Sequence, residues 1–174
     1  MAKEKKNSPA KWVIAVFIIT FLLSLLFSFL SSVAINELDI IPAIFVLVLV
    51  VLIGIIFDLI GVATTVATEE EFHSMAAKKI PGAKKAINII RNSPKVSNLC
   101  SDVIGDICGV LSGALSAIIA MKIASAYDLN FDIQVILGAV VAAVTVGGKA
   151  ITKEIAKANP TQIVFFVAKL LGKE

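Results

Sequence analysis

The chain has 174 residues, of which 58% are hydrophobic and 17% are charged, and its mean hydropathy is +0.95. Soluble globular domains carry more charge and fewer apolar residues, so these values exclude an ordinary soluble domain. The formal net charge is only +3, and the positions of the basic residues are explained by membrane orientation rather than by nucleic-acid binding. The composition therefore indicates an integral membrane protein.

Four apolar stretches follow one another along the chain, and each is long enough to cross a bilayer as a helix, which takes about 20 residues. Helices are expected because a lipid-exposed strand would leave its backbone groups unpaired. The sequence therefore predicts an all-α integral membrane protein with four transmembrane helices. The predicted spans are residues 12–33, 41–66, 99–124 and 133–150.

The basic residues predict the orientation of these spans. Lysines and arginines precede the first span, lie between the second and third, and follow the fourth. The opposite loops, residues 36–39 and 127–132, carry acids and neither Lys nor Arg. Because basic loops stay in the cytoplasm, we expect a multi-pass protein of the cell (plasma or inner) membrane with both termini cytoplasmic.

Residues 1–40 are interpreted as a basic cytoplasmic start, one transmembrane helix and a short outer loop, and residues 41–174 as the main transmembrane domain. Within the latter, residues 68–93 predict a cytoplasmic helical hairpin. Thr68 and Glu71 have the spacing of a capping box, and Pro81-Gly82 separates the two helices. A C-terminal amphipathic helix is predicted from the apolar residues Ile163, Phe166, Val167 and Leu170.

Small residues recur at every fourth position of the third span. Such a stripe lets two membrane helices approach closely, so we expect this helix to pack against another span or against its copy in a homodimer. The residues that we expect to mediate this packing are Ser101, Gly105, Gly109 and Gly113.

Ionisable residues inside the apolar spans are the candidate functional residues. Charges at such depth cost several kcal/mol unless they are paired or hydrated, so they mark either an ion path or a buried pair that holds helices together. Two glycines before Lys149 are a candidate break of the fourth helix that would expose carbonyl oxygens. The candidates are Asp58, Asp106, Lys149, Gly147 and Gly148.

Three segments of residues 43–174 resemble the transmembrane domain of the cyclin-M (CNNM/CorC) family. Residues 148–160, G-K-A-I-T-K-E-I-A-K-A-N-P, resemble the family pattern G-E-x-x-P-K-x-x-A-x-x-N-P without a gap. Residues 109–114 resemble its G-I-L-S-G-A, and Phe72, Met75 and Ala83-Lys84 fit its juxtamembrane helices. The resemblance implies magnesium or cobalt transport or efflux, with Mg²⁺ as the candidate ion.

The sequence departs from the family pattern at the ion-site positions. Asp58 stands near the first serine of the family's F-x-S-A-S-E-T-A-L, and Gly61 falls at its acid. Gly105 or Asp106, together with Gly109, replace polar residues of the third span. Lys149 replaces the acid of the last motif and Thr152 its proline. The sequence carries no counterpart of the CBS domains that usually follow.

Two functions are therefore expected from the sequence. The first is a divalent-cation transport or efflux domain with an altered ion site. The second is a non-transporting membrane scaffold or regulatory subunit, in which Lys149 replaces the bound cation by pairing with Asp58 or Asp106. The expected partners are the lipid bilayer, a second copy and a separate regulatory chain. No catalytic site is expected, since the sequence has one histidine and neither a nucleophile elbow nor a phosphate-binding loop.

Overall fold

The computed structural model describes residues 9–127 and 133–172, and within these ranges nearly every residue is helical and none lies in a strand. The predicted basic residues before position 9, most of the predicted loop at 127–132 and Lys173 lie outside the described residues. The elements are α1 (Pro9–Glu37), α2 (Ile40–Val66), α3 (Glu69–Ala77), α4 (Ala83–Arg91), α5 (Ser93–Ser97), a π-helical segment (Asn98–Ile104), α6 (Gly105–Tyr127), α7 (Ile133–Ala158) and α8 (Pro160–Leu171).

Three helical stretches are long and apolar enough to cross a membrane: Ile40–Val66, Ser93–Tyr127 and Ile133–Ala158. The second of these comprises α5, the π-helical segment and α6 in one continuous run. In α1 the described apolar stretch is the shorter Val16–Phe29. By the length and composition of its helices the chain is therefore a membrane protein, while the predicted first span, at residues 12–33, remains a prediction.

Helix α2 lies at the centre and packs against both α6 and α7. One core cluster joins Leu47, Val51 and Ile55 of α2 to Leu115 and Ile119 of α6. These α2 positions recur at intervals of four residues, so they share one face of the helix. Elsewhere α2 also carries many large apolar side chains that are exposed, as expected for a helix in lipid.

Close approaches between backbones show the relative directions of the three helices. A Cβ placed on Gly54 of α2 would lie 2.8 Å from the Cβ of Cys108, and one on Gly61 would overlap the hydroxyl of Ser101. Rising numbers on α2 thus meet falling numbers on the facing helix, so the two are antiparallel. Because Ile55 meets Gly148 and Asp58 meets Lys153, α7 runs parallel to α2.

Helix α7 continues without a break through Gly147 and Gly148, contrary to the expectation of a broken helix. A Cβ on Gly148 would lie 2.5 Å from the Cδ1 of Ile55, so this glycine permits close helix packing. The hydroxyl of Thr152 donates hydrogen bonds to the carbonyl oxygens of Gly148 (3.0 Å) and Lys149 (3.1 Å). Gly148 therefore contributes its small size to helix packing and does not break the helix.

The short helices α3 and α4 pack with α8 at the C-terminal end of α2. Phe72, Ala86, Val164 and Ala168 are fully buried in one cluster that also includes Ala63 of α2. On α8 the buried face contains Val164 and Ala168, and Ile163 of the predicted apolar face packs against the same cluster, whereas two other residues of that face lie outside it. Small side chains are selected here because α8 approaches the backbone at the start of α4. The outward residues are Phe166 and Leu170.

An ion pair joins the beginning of α3 to the end of α4. The Arg91 Nε donates to Glu69 Oε2 at 3.1 Å, and His73 lies 3.2 Å from the same oxygen. The hydrogen bond from Arg91 lowers the pKa of Glu69 below its ordinary value of 4.5. Thr68 precedes α3 as predicted but makes no side-chain cap hydrogen bond. The placement of these helices as a hairpin at the membrane surface remains a prediction.

Candidate intramembrane charge site

Asp58 on α2 is the buried acid at the meeting point of the three apolar helices. It is 4% exposed, and its Oδ2 atom has no hydrogen-bond partner. The nearest charge is the ammonium of Lys153 on α7, whose Nζ lies 3.7 Å from Oδ2. That separation is an ion pair and is longer than a hydrogen bond. The negative charge of Asp58 is thus compensated, but its Oδ2 atom still lacks a hydrogen-bond donor.

The position of Asp58 makes this arrangement energetically significant. Asp58 precedes the end of α2, at Val66, by eight residues, which is about 12 Å along the helix axis. A buried carboxylate without compensation costs several kcal/mol, and the Lys153 ammonium supplies the compensating charge. The Lys153 side chain is itself 47% exposed, because its stem reaches inward from nearer the end of α7. One partner of the pair is buried, and the other remains in contact with the surroundings.

Lys149 lies one turn before Lys153 on α7 and has a different partner. Its ammonium donates to the carbonyl oxygen of Gly105 at 3.4 Å. A Cβ added at position 105 would lie 3.5 Å from the Lys149 Nζ, an ordinary contact distance, so the hydrogen bond does not depend on a glycine there. In the described structure, Lys149 thus joins α7 to α6, while Lys153, which the sequence did not single out, joins α7 to Asp58 of α2.

The π-helical segment forms the third side of the site. The Gly105 N–H donates to the carbonyl of Cys100, five residues back, which is the π-helical pattern. Such segments are rare and frequently mark functional positions. Ser101 lies in this segment directly against Gly61, and its hydroxyl is buried without a hydrogen-bond partner. Two buried oxygens, Oδ2 of Asp58 and Oγ of Ser101 against Gly61, therefore have no hydrogen-bond partner.

The remaining predicted residues lie elsewhere. Asp106 is exposed in the first turn of α6, so the structure does not bring it together with the buried Asp58. Gly109, Gly113 and Gly147 face open space, with no atom within 4 Å of an added Cβ. Among the predicted packing residues, Ser101 and Gly105 make the close contacts, and the predicted dimer remains a prediction.

The charges of the site decide which ions it suits. The Asp58 carboxylate stands beside the Lys153 ammonium, the Lys149 ammonium lies on a backbone carbonyl, and the described residues hold no cluster of three or more His, Cys, Asp or Glu side chains that could bind a metal. Magnesium requires near-octahedral oxygen coordination, usually including carboxylates. The residues present do not fit that ion. In the structure, the positive charge that balances Asp58 is the Lys153 ammonium.

The sequence signal for Asp58 was an acid in an apolar run. Lys153 and Ser101 had weaker signals: Lys153 repeats Lys149 after one helical turn, and Ser101 belonged to the small-residue stripe. Comparisons with protein-family models, with curated proteins and with solved structures found no match to this chain. The likeness to the cyclin-M family therefore rests on the sequence motifs alone.

Proposed function

We propose that this membrane protein moves a monovalent cation or a proton through the site at Asp58, with Lys153 as its built-in counter-ion. The observation that carries the proposal is the buried carboxylate oxygen of Asp58, which has no hydrogen bond and only a lysine ammonium 3.7 Å away. An acid within a membrane helix is by default a functional position. The three helices around it provide a fixed frame, since their glycines hold the backbones close together.

The exchange follows from the unequal exposure of the two partners. Lys153 is half exposed and can turn its ammonium toward water, whereas Asp58 stays buried. When the lysine leaves, the carboxylate needs another positive charge, because a bare buried carboxylate costs several kcal/mol. A cation or a proton then takes the vacated place, with the Ser101 hydroxyl as a neutral oxygen nearby. Return of Lys153 displaces it.

The choice of ion is the point where this proposal differs from the family resemblance. The resemblance implies magnesium or cobalt, but a divalent ion would leave the site with excess positive charge beside Lys149 and Lys153. A monovalent ion leaves the net charge unchanged when it replaces the Lys153 ammonium. The proposal therefore predicts flux of sodium, potassium or protons in preference to divalent ions.

A second function is favoured by a separate observation. Both lysine amines already lie on oxygens that a cation would use, Lys149 on the Gly105 carbonyl and Lys153 on the Asp58 carboxylate. In a non-transporting scaffold or regulatory subunit, these contacts would hold the three helices together permanently. This alternative predicts no ion flux.

The proposed topology has four spans, with both termini and the segment between the second and third spans in the cytoplasm. Cysteines introduced at Lys84 and at Ser125, in a background without Cys100 and Cys108, provide the test. The first is expected to react with an impermeant thiol reagent only in inverted vesicles, and the second only from outside. Equal labelling from one side would contradict the topology.

Flux through proteoliposomes separates the two functions. We expect uptake of a monovalent cation or a proton by the full chain, and loss of at least about 90% of it in Asp58→Asn. The matched control is Asp106→Asn, which also removes one acid from an apolar helix but at an exposed position. Uptake of magnesium or cobalt, or equal loss in both variants, would contradict the proposal. No flux of any of these ions would favour the scaffold.

A further inference from the structure

A basic groove lies outside the membrane helices, between the α3–α4 turn and the end of α8. Its volume is about 640 Å³, and it is lined by three lysines, Lys79, Lys84 and Lys85, together with Ile80 and Leu171. Among the described residues, no acidic side chain lines it. Because the site at Asp58 is built from α2, α7 and the π-helical segment, the groove is a separate feature.

The three lysines keep their charge available for a ligand. None of them forms an ion pair with another described residue. The acids of α3 belong to its first turn, at the opposite end from the groove, and Glu69 there is engaged by Arg91. Three uncompensated ammonium groups around one cavity repel one another and favour a bound anion.

The backbone of the groove is held in a defined shape. Lys79 has a φ of +55° and Gly82 a φ of +92°, so the turn contains two left-handed residues, one of which is not glycine. Such a residue persists only where its surroundings hold it, and here the Ile80 N–H donates to the Met75 carbonyl at 3.1 Å. Gly82 lies against the α8 backbone, because an added Cβ would be 3.5 Å from the Cα of Lys169.

The apolar side of the groove distinguishes a lipid from a soluble anion. Leu171 lines it and is 63% exposed, and the neighbouring Leu170 and Phe166 on α8 are exposed as well. Exposed apolar residues beside lysines are the pattern of a helix that lies in the membrane interface. An anion with an acyl chain would satisfy both the lysines and this apolar edge.

From these observations we propose that the groove binds the phosphate of an anionic phospholipid headgroup through Lys79, Lys84 and Lys85, with the acyl chains along the exposed face of α8. Ammonium groups form charge-assisted hydrogen bonds to phosphate oxygens. Basic pockets on the cytoplasmic side of membrane helices are suited to such headgroups. The inference needs this face to lie at the membrane but does not depend on transport through Asp58.

Binding of fluorescent phosphatidylglycerol to the full chain in non-ionic detergent tests the proposal. Each lysine near a phosphate contributes roughly fivefold in affinity, so the variant Lys79→Ala/Lys84→Ala/Lys85→Ala is expected to bind at least about tenfold more weakly. The control Lys78→Ala/Lys95→Ala/Lys157→Ala removes the same net charge from exposed positions that do not line the groove. It is expected to retain the affinity within about twofold.

Further binding measurements identify the source of the phosphate and check that the variants are folded. Phosphatidylcholine is expected to bind at least about tenfold more weakly than phosphatidylglycerol, and inorganic phosphate at equal ionic strength is expected not to displace the lipid. Replacing the same three lysines by arginine is expected to preserve binding. Equal losses in the groove and control variants, or full displacement by inorganic phosphate, would overturn the proposal.

Discussion

Gly54→Ala tests whether the three membrane helices are held as closely as the structure indicates. The added Cβ would lie 2.8 Å from the Cβ of Cys108, and no rotation of the cysteine side chain can move that atom away. Overpacking of this kind costs about 1–3 kcal/mol. Alanine recovers up to about 1 kcal/mol through its higher helix propensity. A matched Gly109→Ala gains the propensity alone, since nothing lies within 4 Å of its Cβ.

The two variants are therefore expected to differ by about 1–3 kcal/mol in the free energy of unfolding. For a chain of this size, 1 kcal/mol shifts Tm by about 2–4 °C, so Gly54→Ala should melt about 2–12 °C below Gly109→Ala in detergent. Adding Cys108→Gly to Gly54→Ala should remove the overlap and restore part of the loss, a coupling that a double-mutant cycle measures. Equal melting temperatures for Gly54→Ala and Gly109→Ala would refute the close packing of α2 and α6.

Two other predictions concern charges. Lys153→Met should destabilise the protein by about 1–3 kcal/mol, below the 3–5 kcal/mol of a fully buried pair because the lysine is half exposed. Lys149→Met removes one 3.4 Å hydrogen bond and should lower the free energy of unfolding by about 1 kcal/mol. If chemical unfolding showed a larger loss of stability in Lys149→Met than in Lys153→Met, this ranking would be contradicted. Because Arg91 lowers the pKa of Glu69, the ion pair should stabilise the α3–α4 contact above pH 4.5 and be lost as the pH falls through the lowered pKa. NMR titration should show the pKa of Glu69 rising in Arg91→Gln, and an unchanged pKa would contradict the assignment.

The sequence predicted the apolar helices well, because length and hydropathy alone determine which segments suit a bilayer. The second span was expected at residues 41–66, and α2 is Ile40–Val66. The fourth was expected to end at residue 150, but α7 continues to Ala158. Its polar continuation is helical because charged side chains such as lysine end a membrane span but not a helix, and Lys153 there still contacts Asp58 of α2.

The site was only partly predictable, because its pairs depend on how the helices pack against one another. An acid in an apolar run identified Asp58, but its partner depends on the register between α2 and α7, which the contact of Gly148 with Ile55 sets. That register cannot be predicted from the local sequence. The π-helical segment was not predicted either. It packs against Gly61, and the spacing of residues in the sequence does not reveal that packing or the hydrogen-bond pattern.

The exchange of Lys153 for a cation at Asp58 is tested most directly by the reactivity of the lysine itself. An amine-specific reagent and mass spectrometry give the labelling rate of Lys153 in proteoliposomes with sodium, potassium or choline at equal ionic strength. The internal reference is Lys157, an exposed lysine on the same helix that pairs with Glu154. A cation that takes the place of Lys153 should raise its labelling severalfold over choline, with Lys157 unchanged and with no increase in Asp58→Asn. A labelling rate of Lys153 that is the same in sodium, potassium and choline, at every pH between 5 and 8, would contradict the exchange.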